Sequence, residues 1–345
     1  MIKGKLVAVD LAKNNFQVAI FSARAKTPVS NRLLSRPQFI RFLAELSPGT
    51  LAFEACGGAH YWRNVAMSHG HRVMLLSPQF VKAFRQGHKT DANDALAIGA
   101  AAQLSHVREV PGKEPDRLAI QGLLRMRAGY IKDRTAVSNQ IRGLLAEFGV
   151  VMAKGFATLK SRMSVLLADE ESAIHPLHRE PMRLLMEHFY TLHQRILDMD
   201  AYLRRAVQTL PICQELQKIK GVGLIGASEL YVALGDGTVF ANCRAAAAYV
   251  GVSPKQYSSG GKATMIGIGR SAQVSLRSTL ITGALAYVSR AIRSDKPEDQ
   301  WLRQQYEKKR SFKHAAVAWA NKVVRTAWAM IRYDRPYDLA FEQMR

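Results

Sequence analysis

In the first hundred residues of this 345-residue chain, thirteen Lys and Arg stand against five acids: Asp10, Glu45, Glu54, Asp91 and Asp94. Carboxylates this scarce in so basic a segment constrain the fold through their positions. Asp10 ends the apolar run KLVAVD (5–10), and Glu54 lies near the end of LAFEAC (51–56). Asp91 and Asp94 open DANDALAIGAAAQL, where the apolar residues recur at helical spacing. Glu45, near the end of a short amphipathic helix, reads as solvated. The other four sit at element ends, so a fold that serves this pattern gathers strand ends and one helix start.

The stretches between them supply such a fold. FQVAIFS (16–22) alternates like a half-buried strand and follows KLVAVD through the turn LAKNN, a hairpin signal. A third short strand is expected near Asn31–Leu34. PQFIRFLAEL (37–46) has helical spacing and stops before Pro48-Gly49, while YWRNVAMSHG (61–70) reads as a helix ending at glycine. RVMLLSP (72–78) is again a strand, and PQFVKAFRQ a short helix. A hairpin followed by strand–helix alternation predicts a mixed sheet flanked by helices, in an order that resembles the ribonuclease-H-like fold. Asp91 and Asp94, three apart, share one helix face. At 4 Å and an effective dielectric of 20, each like-charged pair costs roughly 4 kcal/mol. Two Mg²⁺ ions about 3.5–4 Å apart would reverse that sign and clamp an in-line phosphoryl displacement. The alternative for Asp91 and Asp94 is an N-cap and a first-turn acid favoured by the helix dipole.

Residues 105–210 change character. From Leu185 the apolar positions step 185, 189, 192, 196, 199, 203, 206, 210, a heptad seam that begins after Pro176 and Pro181 and ends at Pro211. A looser seam runs through Ile120, Leu123, Arg127, Tyr130, Arg134, Val137, Ile141, Leu144 and Phe148. Its two arginines either snorkel at the seam edge or face a phosphate backbone. The two helices can pair within one chain or between chains.

QELQKIKGVGLIGASELYVAL (214–234) contains GVGLIG, a formal GxGxxG. A polar helical stretch rather than a buried strand precedes it, so a dinucleotide site is rejected. A helix–hairpin–helix fits better, with Gly221 and Gly223 in a turn whose backbone N–H groups can take a phosphate. The bland alternative is a tight interhelical turn. Further on, an Ala-rich helix leads into a Gly-rich segment with Ser258, Ser259, Gly260, Gly261, Lys262 and Arg270, then another helix. GGKAT is not a P-loop, and from sequence alone a flexible loop is the favoured reading. Small residues beside cations also suit a backbone that approaches phosphate. The last fifty residues predict a helical hairpin, with Trp301, Tyr306, Trp319 and Trp328 in its core and a solvated KKR at 308–310.

The formal net charge is +22, spread as +8 in residues 1–100, +5 in 101–220 and +9 in 221–345. That excess points to a polyanion, most simply nucleic acid, against the alternative of a merely basic or ribosome-associated protein. Three cysteines far apart in sequence argue against zinc and disulfides and for a reducing compartment. With no signal peptide and no apolar run of membrane length, the cytoplasm is expected and a membrane is not.

Taken together, AVDLAKNNFQVAI, LAFEACGGAHYW, GHKTDANDALAI and YVGVSPKQYSSGGK…GIGR resemble the DEDD transposases of bacterial insertion sequences, the insertion-sequence-110 family. The resemblance covers both ends of the chain. It implies a RuvC-like domain (1–104), a helical coiled-coil spacer (105–210) and a mainly helical C-terminal transposase domain (211–345). It implies Asp10, Glu54, Asp91 and Asp94 as catalytic metal ligands for Mg²⁺, with Mn²⁺ as a substitute. It implies a serine nucleophile, mapped to Ser259 with Ser258 as its neighbour, and a serine–phosphate link to DNA. It further implies a structured non-coding bridge RNA as guide, donor and target DNA as substrates, and a dimer assembling to a tetramer. Lys262, Arg270, Gly221, Gly223, Arg127 and Arg134 are the nucleic-acid contacts expected on this reading. The rivals are a RuvC-like nuclease of junction-resolvase type that uses water, and a non-catalytic binder with decayed acids. The second predicts an incomplete acid set, and this chain keeps all four.

Overall fold

The computed structural model describes residues 5–22, 25, 27–104, 107–268 and 273–338, excluding the side chains of Ser259, Lys262, Ala263 and Lys309. Arg270 lies outside the described residues. Strands β1 (Leu6–Leu11), β2 (Asn15–Phe21) and β3 (Ser30–Ser35) form an antiparallel meander. Helix α1 (Arg36–Glu45) follows, capped by Ser35 and Gln38 in a reciprocal box. Strand β4 (Thr50–Glu54), helix α2 (Ala59–Ser68) and strand β5 (Arg72–Leu76) add parallel pairs, giving the sheet order β3-β2-β1-β4-β5. Short α3 (Pro78–Val81) and then α4 (Asp91–Ala102) complete this unit. The mixed sheet and the succession of its strands along the chain are those expected, including the weakly signalled third strand.

Alternation along each strand sends residues to two cores. Val7, Val9, Phe16, Val18 and Phe53 pack with Phe39, Leu43 and Trp62 of α1 and α2. Leu6, Ala8, Ala19, Phe21 and Leu76 pack with Ala95, Ile98 and Ala102 of α4 on the other face. A Cβ at Gly99 would overlap the Phe21 ring, so only glycine lets α4 lie this close to β2.

Long helices α5 (Pro115–Ala146) and α7 (Pro176–Gln208) pair within the chain, joined through α6 (Phe156–Ala168), a helix the sequence reading did not single out. Val137, Ile141 and Leu145 of α5 meet Met182, Met186 and Phe189 near one end of the pair, and Ile120 meets Leu203 and Val207 at the other, so the helices run antiparallel. Helix α7 starts at Pro176 and carries Pro181 inside it. Its buried positions are Met182, Met186, Phe189, Leu192, Ile196, Leu203 and Val207. Phe189, Leu192, Ile196 and Leu203 were expected; Met182, Met186 and Val207 replace Leu185, Met199, Ala206 and Leu210. The displacement has a physical cause: His193 and Asp200 occupy the seam, and a count of apolar residues passes over them.

The remaining chain forms one large core. Helices α8 (Pro211–Gln217), α9 (Leu224–Leu234) and α10 (Cys243–Val250) precede strands β6 (Pro254–Ser259) and β7 (Lys262–Ile268). Helices α11 (Val274–Ala291), α12 (Gln300–Lys309) and α13 (Phe312–Tyr333) close it. Helix α9 is buried from Gly226 to Leu234 and is the hub against which α5, α7, α8, α11 and α13 pack. Trp319 and Trp328 are buried in this core, as expected, and donate to the carbonyls of Lys220 and Gly237.

The favoured loop reading for the Gly-rich segment is corrected here. β6 and β7 form an antiparallel ribbon, with Ser259 opposite Lys262 across Gly260-Gly261. Both glycines have positive φ (56° and 78°), the conformation a two-residue hairpin turn of primed type needs. The signal was present: a Gly-Gly step between two runs able to pair.

Candidate active site

Asp10 sits on the central strand β1, opposite Gln17 of β2. In the parallel ladder Val9 stands opposite Phe53, so Asp10 and Glu54 follow as neighbours at the ends of their strands. Helix α4 lies across β1, β2 and β4 and brings its first turn, with Asp91 and Asp94, to the same edge. Thr90 caps that helix by accepting from the Asn93 N–H, and Asn31 donates to Ala92 O at 3.2 Å. The N-terminus is thus pinned to β3. Capping falls to Thr90, not Asp91.

Electrostatics report how closely the acids share one field. Burial, and then Asp94, Asp91 and Glu54, push the Asp10 carboxyl from 3.8 to about 6. Burial and Asp94 also raise Glu54. Arg85 donates to Asp94 Oδ1 at 3.3 Å, and Lys89 acts on Asp10 and Glu54 in the opposite sense to the acids. These two cations were not singled out in the sequence, because the segment before α4 carries no pattern that marks either. Among the described residues no three His, Cys, Asp or Glu side chains stand close enough to enclose an ion. The donor chemistry nevertheless fits a hard divalent cation: four carboxylates, all oxygen, of which Asp10 and Glu54 are raised by burial and by their acidic neighbours.

The serines lie elsewhere. The ribbon is exposed at its described positions from Pro254 to Gly267, and its strands pack on each other. Ser258 and Ser259 hold successive register positions in β6, opposite Ala263 and Lys262. Ser258 accepts from Gln256 Nε2 at 2.7 Å. Lys262 begins β7, and Arg270 follows its end outside the described residues. The packing partners of α4 are strands of the five-stranded sheet and the α3 region, so this chain's serines and acids are held on separate elements.

The other expected contacts have local accounts. Gly221 has φ of 81°, and a Cβ on it or on Gly283 would overlap the other's backbone, which makes the turn before α9 a site of close helix approach. Gly223 is the N-cap residue of α9 and is exposed. Arg127 Nε donates to Asp200 Oδ1 at 2.5 Å, and Arg134 Nη1 to His193 Nδ1 at 2.8 Å. Burial and Arg134 lower the His193 pKa, which keeps that ring neutral and able to accept.

Comparison with known proteins places these features in context. Residues 7–149 match a family described as "Transposase", of the IS110 DEDD type, and residues 213–307 match the "Transposase IS116/IS110/IS902 family". The chain is 34% identical to the transposase for insertion sequence element IS1111A of Coxiella burnetii, over 96% of this chain and 91% of that protein. It is 35% identical to a probable family 20 transposase of Pseudomonas aeruginosa, over 96% and 98%. It is 33% identical to the transposase for insertion sequence element IS1328 of Yersinia enterocolitica, over 94% and 96%.

Proposed function

The chain belongs to the IS116/IS110/IS902 transposase family, and from that premise we propose that it is an RNA-guided DNA recombinase acting through a serine–phosphate intermediate. The observation that carries this reading is the placement of Asp10, Glu54, Asp91 and Asp94 at one end of the sheet, where burial and then the neighbouring acids raise Asp10 to about 6. In this reading residues 1–104 form the acid-bearing domain, 105–210 the spacer and 211–345 the domain with the serine ribbon. Asp10, Glu54, Asp91 and Asp94 are the residues that would hold Mg²⁺. When bound, the ion neutralises the carboxylate field and polarises a phosphodiester oxygen.

The protein's own part begins with orientation. The acids sit on β1, β4 and α4, rigid elements with packed cores on both sheet faces. Ser259 stands at the tip of an exposed ribbon, where a DNA backbone has access. Its hydroxyl gives up a proton to a base at the carboxylate cluster and forms a bond to phosphorus. One bridging P–O bond breaks, and that sugar oxygen leaves with the electron pair and takes a proton. The covalent phosphoserine preserves the phosphodiester until a second strand's hydroxyl reverses the step. Because the ribbon and the acids lie on separate elements, closure of the site falls to a rearrangement or to another copy of the chain in a dimer or tetramer. A guide RNA reads sequence by pairing, and the spread of basic charge holds both nucleic acids by their backbones. The cytoplasm of a bacterial cell is where these partners meet.

A denaturing gel tests the reading: protein, Mg²⁺, the element's non-coding RNA and labelled donor DNA, with Ser259→Ala, Ser258→Ala and Asp10→Ala compared. A protein–DNA adduct lost in Ser259→Ala and Asp10→Ala but kept in Ser258→Ala is the expected result. Free cut ends with no adduct, unchanged by Ser259→Ala, would mean that water is the nucleophile.

A further inference from the structure

Half-buried positive charge without a matching carboxylate is costly, and it marks a place where an anion is missing. Such a place lies apart from the acid cluster. His60 and Arg63 stand on α2, Lys113 on the connection that leads into α5, and Arg125 on α5 itself. Asn64 Nδ2 donates to the Lys113 carbonyl at 3.0 Å and ties that connection to α2. Gly112 faces the Arg63 guanidinium, where a Cβ would overlap it. Two carboxylates reach the cluster from its Arg63 side: Glu114 is shared between Arg63 at 3.6 Å and Arg117 at 2.5 Å, and Asp236, hydrogen-bonded by Thr238, lies in the field of Arg117 and Arg63. Lys113 Nζ has the neutral Gln121 Oε1 at 3.4 Å and, among the described residues, no carboxylate within ion-pair distance. His60 Nδ1 is buried with no hydrogen-bond partner.

The titration of these groups agrees with that geometry. Burial, and then Lys113, Arg63 and Arg125, lower His60 to about 4. Burial and Arg125 lower Lys113 to about 8. Burial first and then the neighbours' charge push His60 and Lys113 toward their neutral forms, and a bound anion opposes the second of these.

We propose that His60, Arg63, Lys113 and Arg125 form a receiving site for a nucleic-acid backbone phosphate. The inference rests on the nucleic-acid reading above and adds a site to it. A guanidinium fork and an ammonium are the donors a phosphate takes best, and the orphan His60 Nδ1 supplies a third kind of donor. Arg125 is exposed and marks the open side of the site. Position agrees as well. Helix α2 begins five residues beyond Glu54, so a strand whose reacting phosphate lies at the acids has its flanking backbone beside α2.

The test is equilibrium binding of the full chain to a labelled donor-end DNA duplex and, separately, to the element's non-coding RNA, from about 50 to 200 mM salt. Wild type, Lys113→Gln and Arg125→Gln are compared. Each substitution is expected to reduce the salt slope by about 0.9 on duplex DNA, or by about 0.7 if a single strand is bound there. The nucleic acid whose slope falls is the source of the phosphate. The His60 ring signal, followed by NMR, is expected to titrate at higher pH once that nucleic acid is bound. Arg125 is exposed, so its variant keeps the measurement decisive should Lys113→Gln fail to fold. If wild type binds with a steep slope and both variants retain it, with His60 unshifted, this site is overturned while the nucleic-acid reading stands. If wild type shows no salt-dependent binding to either partner, both fall together.

Discussion

Asp10 shows what a single side chain contributes to this fold and what it costs. The folded state holds its proton more tightly than the unfolded chain does, because burial and three neighbouring acids raise it to about 6. Asp10 therefore favours folding below about pH 4 and loses that contribution as pH rises toward 6; above 6 its charge is a burden. Allowing for solvent screening of a half-buried group, the penalty near pH 7 is about 1–2 kcal/mol. Asp10→Asn is thus expected to melt about 2–6 °C above wild type near pH 7 and to show no such gain near pH 4. Millimolar MgCl₂ is expected to raise the wild-type melting temperature and leave that of Asp10→Asn nearly unchanged. An Asp10→Asn protein that melts lower than wild type at neutral pH would contradict the shared field of the acids. At this scale the four acids were legible in the sequence, because scarcity and placement at the ends of two strands and the start of one helix mark them. Arg85 and Lys89 were not, since a cation in a basic segment stands out only when an acid is found beside it.

Among the elements, the α5–α7 pair is where the sequence was least complete. Arg127 and Arg134 looked anomalous on an apolar seam, and two readings of them stood open. The structure gives each a partner on α7, Asp200 and His193. The same two residues explain why the buried positions of α7 depart from the apolar count. A double-mutant cycle with Arg127→Gln and Asp200→Asn is expected to return an interaction of about 1 kcal/mol, given side chains roughly a quarter exposed. The salt slope for nucleic acid is expected to stay unchanged in Arg127→Gln, a result that assigns this side chain to helix pairing. A fall of about 0.9 would instead place a phosphate on it. The ribbon teaches a related lesson. Strands with no buried face need no apolar alternation, and PKQYSS and KATMIGI have none, so β6 and β7 resemble a loop in the sequence.

At the scale of the molecule, the core of the long helix pair and that of the C-terminal helices are linked through α9. Leu203 and Val207 of α7, Ile120 of α5 and Tyr231 and Val232 of α9 share one cluster, which joins the long helix pair to the C-terminal core. Arg117 reinforces the joint, donating to Gly235 O at 3.0 Å and lying over the Tyr231 ring. Among the described residues no helix is long and apolar enough to cross a membrane, and the cysteines are free. The charge of +22 is carried by every third of the chain, so no single stripe should dominate binding. Nucleic-acid affinity is accordingly expected to fall with a log–log salt slope of about −5 or steeper, as for six or more phosphate contacts. A slope near −1 would confine the contact to one patch.

By itself the sequence determined the strand and helix order of the first hundred residues and the mixed sheet, and it marked the four acids, because periodicity and element ends are local properties written in consecutive residues. It also carried the family motifs at both ends. Only the tertiary structure decided which charges meet. Arg127 finds Asp200 across seventy-three positions, Gly221 finds Gly283, and His60 and Lys113 are drawn together by the join of α2 to the connection before α5. Side-chain charge has no period, and its energy depends on distance and burial, both of which exist only once the chain has folded.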